Sequence, residues 1–150
     1  MRLIRKIAIL IVVILIVIQF VQPNKNVSAG PFPDDITKVY DLPEDVRNTF
    51  VNKCYDCHSN NTKYPWYFHV QPVGWWLAAH IHDAKDELNF SAFRLYPADK
   101  ADHKLEELQE VMEEGSMPLK SYVMLHPQAE LSGREKEAIL KWVATVRKKN

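Results

Sequence analysis

Residues 43–58 read Pro-Glu-Asp-Val-Arg-Asn-Thr-Phe-Val-Asn-Lys-Cys-Tyr-Asp-Cys-His. The first eleven predict a short helix over 43–53. Pro43 suits a first turn, and Glu44 and Asp45 complement the positive end of the helix dipole. Val46, Phe50 and Val51 lie on one side of it and offer a face to bury. The helix runs into Cys54 and Cys57, three positions apart, with His58 directly after. These are the two cysteines of the chain, too few for a disulfide framework.

The pattern continues outward. Residues 59–72 form a polar, then aromatic loop in which Pro65 and Pro72 deny regular structure. A helix is predicted over about 73–88, carrying Trp75, Trp76, Ala79, Ile81 and His82. A loop follows around Asn89, Phe90, Ser91 and Pro97. Residues 99–114 are strongly helical, with Leu105, Leu108, Val111 and Met112 on one stripe and Gly115 as the stop. Ser116, Met117 and Pro118 open a loop through Tyr122, His126 and Pro127. In the last helix Ser132 is the N-cap and Glu135 completes a capping box. Ile139, Leu140, Trp142, Val143 and Val146 form its buried face, while Arg147, Lys148 and Lys149 suit its negative end. There is no internal repeat, and no strand pattern follows residue 30. The predicted fold is all-α.

The N-terminus differs in kind. Residues 1–6 are basic, and residues 7–21 are apolar at every position except Gln19. Extended over 3–21, this stretch is long enough for a hydrocarbon core of about 30 Å. It predicts an uncleaved signal anchor, with a signal peptide cut after Ala29 as the alternative. A buried core helix fits poorly with the basic flank. No cysteine lies near residue 29, which excludes a lipoprotein anchor. Arg2, Arg5 and Lys6 stay in the cytoplasm and the rest is exported. Residues 22–42 are rich in Pro, Asn, Ser and Gly, as in a linker. The domain reading is therefore 1–29 as anchor or signal with a short linker, and 30–150 as the exported domain.

The chain has 150 residues with 19 basic and 19 acidic side chains, a formal net charge of zero. The first 29 residues hold four of the basic ones and no acid, so the exported part is acidic. It lacks the basic patch of a nucleic-acid binder. An apolar fraction of 47% excludes a disordered chain.

Cys-x-x-Cys-His is the attachment pattern of c-type haem. Cysteines three apart lie about one helical turn apart, so both thiols reach the vinyl groups on one porphyrin edge. The next residue then brings an imidazole under the iron. A zinc site would want four ligands, and a thioredoxin-like dithiol would want a βαβ pattern. Export places the motif where haem c is attached. One covalent haem c is the expected cofactor, with Cys54 and Cys57 holding it and His58 as the proximal ligand. Met117 is the expected distal ligand, offered from a loop stiffened by Pro118, with a residue that fills a core gap as the alternative. Met112 and Met124 read as core. His69, His80, His82 and His126 are rivals for the sixth position, and His103 reads as solvated. Tyr64, Trp66, Tyr67, Phe68, Trp75 and Trp76 are expected to wall the haem pocket, with plain core as the alternative. Glu106, Glu107, Glu110, Glu113 and Glu114 read as a solvated helix face, or as a docking patch for a basic redox partner.

At these residues the sequence resembles the small exported haem-binding domain family of bacteria. The likeness runs through C-Y-D-C-H-S-N-N-T at 54–62, Y-P-W-Y at 64–67, P-V-G-W-W at 72–76 and N-F-S at 89–91. G-S-M-P at 115–118, Tyr122, His126, L-S-G-R-E at 131–135 and K-W at 141–142 extend it. It covers roughly residues 35–147. The resemblance implies covalent haem on Cys54, Cys57 and His58; it assigns no physiological activity. The general plan also looks like a class I cytochrome c, apart from the long aromatic insert at 63–90.

Three functions follow as expectations. The first is a membrane-anchored, periplasm-facing cytochrome c-like domain of the bacterial inner membrane that passes single electrons to a redox partner. The second is a haem-based sensor or ligand-binding module with a labile or empty sixth site. The third, a peroxidase-like enzyme, would need a distal acid–base residue such as His80 or His82. No enzymatic activity is expected.

Overall fold

A computed structural model describes residues 1–148, so Lys149 and its expected role at the last helix end lie outside the described residues. The fold is all-α, as the periodicity predicts, and no strand occurs among the described residues; the nearest approach is an isolated antiparallel bridge between Val27 and Asn61. Helix α1, Arg2–Val17, continues as a 3₁₀ turn through Phe20. These 19 residues have a mean hydropathy of 2.7 and bury nothing. At 1.5 Å per residue they extend about 28 Å, the thickness of a bilayer core. The helix is thus long and apolar enough for a membrane span or a signal sequence.

Residues 22–42, expected as a linker, are built into the domain instead. Ser28 N–H donates to the Asn60 carbonyl at 3.0 Å, and Thr62 N–H donates to the Asn26 carbonyl at 2.9 Å. Helix α2, Ile36–Val39, buries Ile36 completely. Asp35 caps α2 and is itself buried, accepting from Thr37 and from the Tyr55 hydroxyl at 2.9 Å. The composition of the segment misleads because its polar side chains are used as caps and bridges.

Helix α3 spans Glu44–Thr49, and Pro43 precedes it. The predicted straight helix to residue 53 is corrected here: Phe50–Cys54 is a π turn. The wider turn keeps Phe50 in the core, while Val51, expected inside, is exposed. Helix α4, Tyr55–His58, follows directly. Helix α5 runs over Val73–Glu87 and α6 over Ala98–Glu114, which ends on Gly115 at φ +68°, a left-handed stop that glycine adopts without strain. Residues expected as loop form α7, Lys120–Leu125. Helix α8, Gly133–Arg147, starts with the predicted Ser132–Glu135 capping box.

The main core lies where α8 packs across α3 and α6. Leu105, Leu108 and Met112 meet Ile139, Trp142, Val143 and Val146. Phe50 stacks on Phe90 at 4.8 Å between ring centres and takes the edge of Trp142 at 5.6 Å. Phe68, Leu77 and Ile81 form a second, smaller core under the aromatic insert.

One ion pair fastens the cysteine segment to α8. Lys53 Nζ donates to Glu135 Oε2 at 2.8 Å and to the Glu130 carbonyl at 2.6 Å. The Lys53 ammonium, together with the Ser132 donors, lowers the Glu135 carboxyl to about 2. An unfolded glutamate titrates near about 4.3. The stabilisation is therefore complete above that value and fades as pH falls toward about 2. Glu135→Gln keeps the capping box and removes the charge. The stability gap between wild type and Glu135→Gln should stay constant from pH 6 to about pH 4.5 and then shrink toward pH 2.5, read by denaturant unfolding.

Candidate functional site

The π turn and α4 bring Cys54, Cys57 and His58 to the wall of a cavity of about 360 Å³. Its volume is within the range of small-molecule sites, about 300–1,000 Å³. Leu88 and Phe90 continue this wall, α6 supplies Leu108, Val111 and Met112, and the segment after α6 supplies Met117, Pro118 and Leu119. The four residues singled out in the sequence, Cys54, Cys57, His58 and Met117, thus line one largely apolar cavity. π turns are rare and concentrate at functional sites.

His58 is held by a bond the sequence did not reveal. Its Nδ1–H donates to the Leu88 carbonyl at 2.9 Å. A carbonyl only accepts, so Nδ1 carries the proton and the neutral ring leaves the Nε2 lone pair free. Desolvation lowers the imidazole below its ordinary value and favours this neutral form. Phe90 packs edge-on to the His58 ring at 6.1 Å and stacks on Tyr55 at 5.5 Å. The two thiols are uncharged: burial pushes Cys54 up to about 12 and Cys57 up to about 11. No disulfide joins them.

Tyr122 of α7 also lines the cavity, and its hydroxyl donates to Asp56 Oδ2 at 3.1 Å, clamping the middle of the cysteine motif. Lys104 is a buried cation on the α6 wall, with Nζ 2.7 Å from Glu107 and 3.5 Å from Glu87. Its signal was legible: position 104 falls on the stripe of Ala101, Leu105 and Leu108, where a lysine is out of place. Glu107, Glu110 and Glu114 of the expected solvated face border the same cavity. Glu106 instead pairs with Arg147 at 3.0 Å.

Among the histidines, only His80 joins His58 at the cavity. Its Nδ1–H donates to the Trp76 carbonyl at 2.9 Å, so its Nε2 is also free. His80 lies one turn before Ala84 and two before Leu88, on the α5 wall that holds His58; Met117 comes from a separate segment after α6. His126 pairs with the Tyr67 hydroxyl at 2.6 Å. His82 and His103 are solvated beside acids on their own helices. His69 lies in the 3₁₀ turn Trp66–His69, away from the cavity wall. Met112 is core, as expected, whereas Met124 is exposed.

The aromatic insert requires a correction. None of Tyr64, Trp66, Tyr67, Phe68, Trp75 and Trp76 lines the cavity. Tyr64, Tyr67 and Phe68 form the second core with Leu77 and Ile81, and Trp66 and Trp76 are exposed. The reason is Gly74: a Cβ there would lie 2.0 Å from the Phe68 carbonyl oxygen, so the insert folds back onto the start of α5. The aromatic residues of the cavity wall are Phe90 and Tyr122.

The cavity can receive a flat apolar group, offer it two thiols and a lone pair from one wall and a thioether from another, and present Lys104 to an anionic substituent. A family model described as a haem-binding domain matches residues 13–145. No curated protein and no solved structure matches the chain. Phe90 braces both the motif and the ring of His58. Phe90→Ala should destabilise the fold by about 3–5 kcal/mol, and the volume-sparing Phe90→Leu by under about 1.5 kcal/mol, in denaturant unfolding.

Proposed function

The chain belongs to the haem-binding domain family, and on that premise we propose that it carries one covalent haem c and passes single electrons. In this reading Cys54 and Cys57 hold the haem by thioether bonds, His58 Nε2 is the proximal ligand and Met117 Sδ the distal one. Bound haem supplies a one-electron iron couple. The observation that carries the reading is the convergence of two thiols, a free imidazole lone pair and a thioether on one apolar cavity.

The chain's own groups do the rest. The Leu88 carbonyl orients His58 and keeps its proton off Nε2. The apolar walls from α6 exclude water. Met/His ligation raises the potential relative to two imidazoles, which suits electron transfer. Met117 is favoured over His80 because it reaches the cavity from a different segment than the α5 wall behind His58. A redox partner protein, a position on the bacterial inner membrane and a periplasmic face for the haem domain complete the proposal. Arg2, Arg5 and Lys6 support that orientation.

The test is a visible spectrum, oxidised and reduced, of protein produced with a haem-attachment system. Haem should stay bound after denaturation in wild type and be lost in Cys54→Ser/Cys57→Ser. A weak long-wavelength sulfur-to-iron band should vanish in Met117→Ala, and the potential should fall. Absence of attached haem in wild type would overturn the proposal. An unchanged spectrum in Met117→Ala would move the sixth position to His80 or leave it open, and sensing would become the better reading.

A further inference from the structure

Gln19 is the one polar residue in the apolar run, and nothing in the haem reading uses it. In the structure it clasps the backbone of residue 71. Its Nε2 donates to the Gln71 carbonyl at 3.1 Å, and its Oε1 accepts from Gln71 N–H at 2.9 Å. The Gln71 side chain, buried, donates to Gln22 Oε1 at 3.1 Å and accepts from Trp75 N–H at 2.9 Å. Trp75 Nε1 donates to the Val21 carbonyl at 2.8 Å, and Gln22 Nε2 to the His69 carbonyl at 3.3 Å. The end of α1 is therefore locked, not tethered, to the start of α5.

The next residues strengthen the lock. Asn26 spends every polar group it has on the domain. Its N–H donates to the Tyr64 hydroxyl at 2.6 Å, and its Nδ2 donates to the Ser59 carbonyl and to Thr62 Oγ1. Its Oδ1 accepts from Lys85 at 2.6 Å. Cleavage after Ala29 would strip these partners from the loop that follows the cysteine motif. The family match likewise begins at residue 13, inside α1.

The segment gripped by the lock exposes apolar and aromatic side chains. Trp66 is 79% exposed and Trp76 44%, with Val70 and Val73 between them and Phe20 at the end of the helix itself. Tryptophan is enriched where a membrane meets water, because its ring suits the headgroup layer. The lock makes this surface continuous with a helix of bilayer length.

We infer that α1 is kept in the mature protein and that residues 66–76 form a shelf lying in the headgroup and upper acyl layer of the same bilayer. The occupant of the exposed apolar surface is lipid. This inference does not depend on which ligands the iron takes. It sets the domain at one orientation, with the cavity residues His80 to Leu88 about 10–22 Å along α5 from Val73.

The test uses full-length holoprotein in phosphatidylcholine–phosphatidylglycerol vesicles. One phospholipid carries a diazirine near its glycerol backbone. After illumination, tryptic peptides are mapped by mass spectrometry. Adducts are expected on the anchor and on peptide 64–85, and not on peptide 105–120. Gln19→Ala/Gln22→Ala should cut the 64–85 adducts severalfold while leaving those on the anchor. Adducts confined to the anchor, adducts on 64–85 that survive the double variant unchanged, or an intact mass beginning at Gly30 would each overturn the inference. The wild-type map decides alone if the variant does not fold. The same intact mass reports attached haem, so failure of the haem reading is seen separately.

Discussion

The hydrogen bond from His58 to the Leu88 carbonyl joins residues thirty apart at 2.9 Å, and the geometry of the site hangs on it. It selects the tautomer, aims the ring and fixes which nitrogen faces the cavity. For the bond to form, α4 must lie against the C-terminal end of α5. That contact in turn positions Phe90, which follows Leu88 by two residues and closes over both Tyr55 and His58. The π turn Phe50–Cys54 precedes α4 and carries Phe50 in the core and Cys54 on the cavity wall. One imidazole thus ties α4 to the end of α5.

Burial does electrostatic work at the site. Two thiols and an imidazole in an apolar wall favour their uncharged forms, since each charged form would lose hydration without a paired ion. The charged groups on the wall are instead paired: Lys53 with Glu135, and Lys104 with Glu107 and Glu87. Lys53 adjoins Cys54 in sequence, yet its ammonium is turned to α8.

Much of this was legible from residues. Periodicity and caps found α5, α6 and α8, because each has one apolar stripe and a strong start or stop. The Ser132–Glu135 box fixed the start of α8 to the residue. Cys54, Cys57 and His58 stand out by spacing and Met117 by its loop before Pro118, and the structure places all four on one cavity. Three features escaped for physical reasons. The π turn Phe50–Cys54 has no compositional mark. The Leu88 carbonyl is backbone, and any residue could supply it. The aromatic insert was assigned to the pocket by nearness in sequence, whereas Gly74 folds it toward α1. Residues 22–42 looked like a tether because caps and bridges use the same polar residues as loops do.

Helix α5 has the Gln71 junction at its start and the carbonyl of Leu88 just past its end. A four-turn helix is stiff, so the two ends share one frame of reference. Many tethered carriers work as swinging arms, loading at one site and unloading at another by sweeping through solvent. In the proposed reading α1 is the anchor and His58 holds the iron, and because both are fixed to opposite ends of one rod, the domain has no such sweep. As the proposed electron carrier it would be a fixed relay: donor and acceptor would come to it, and the fold would set the distance an electron crosses.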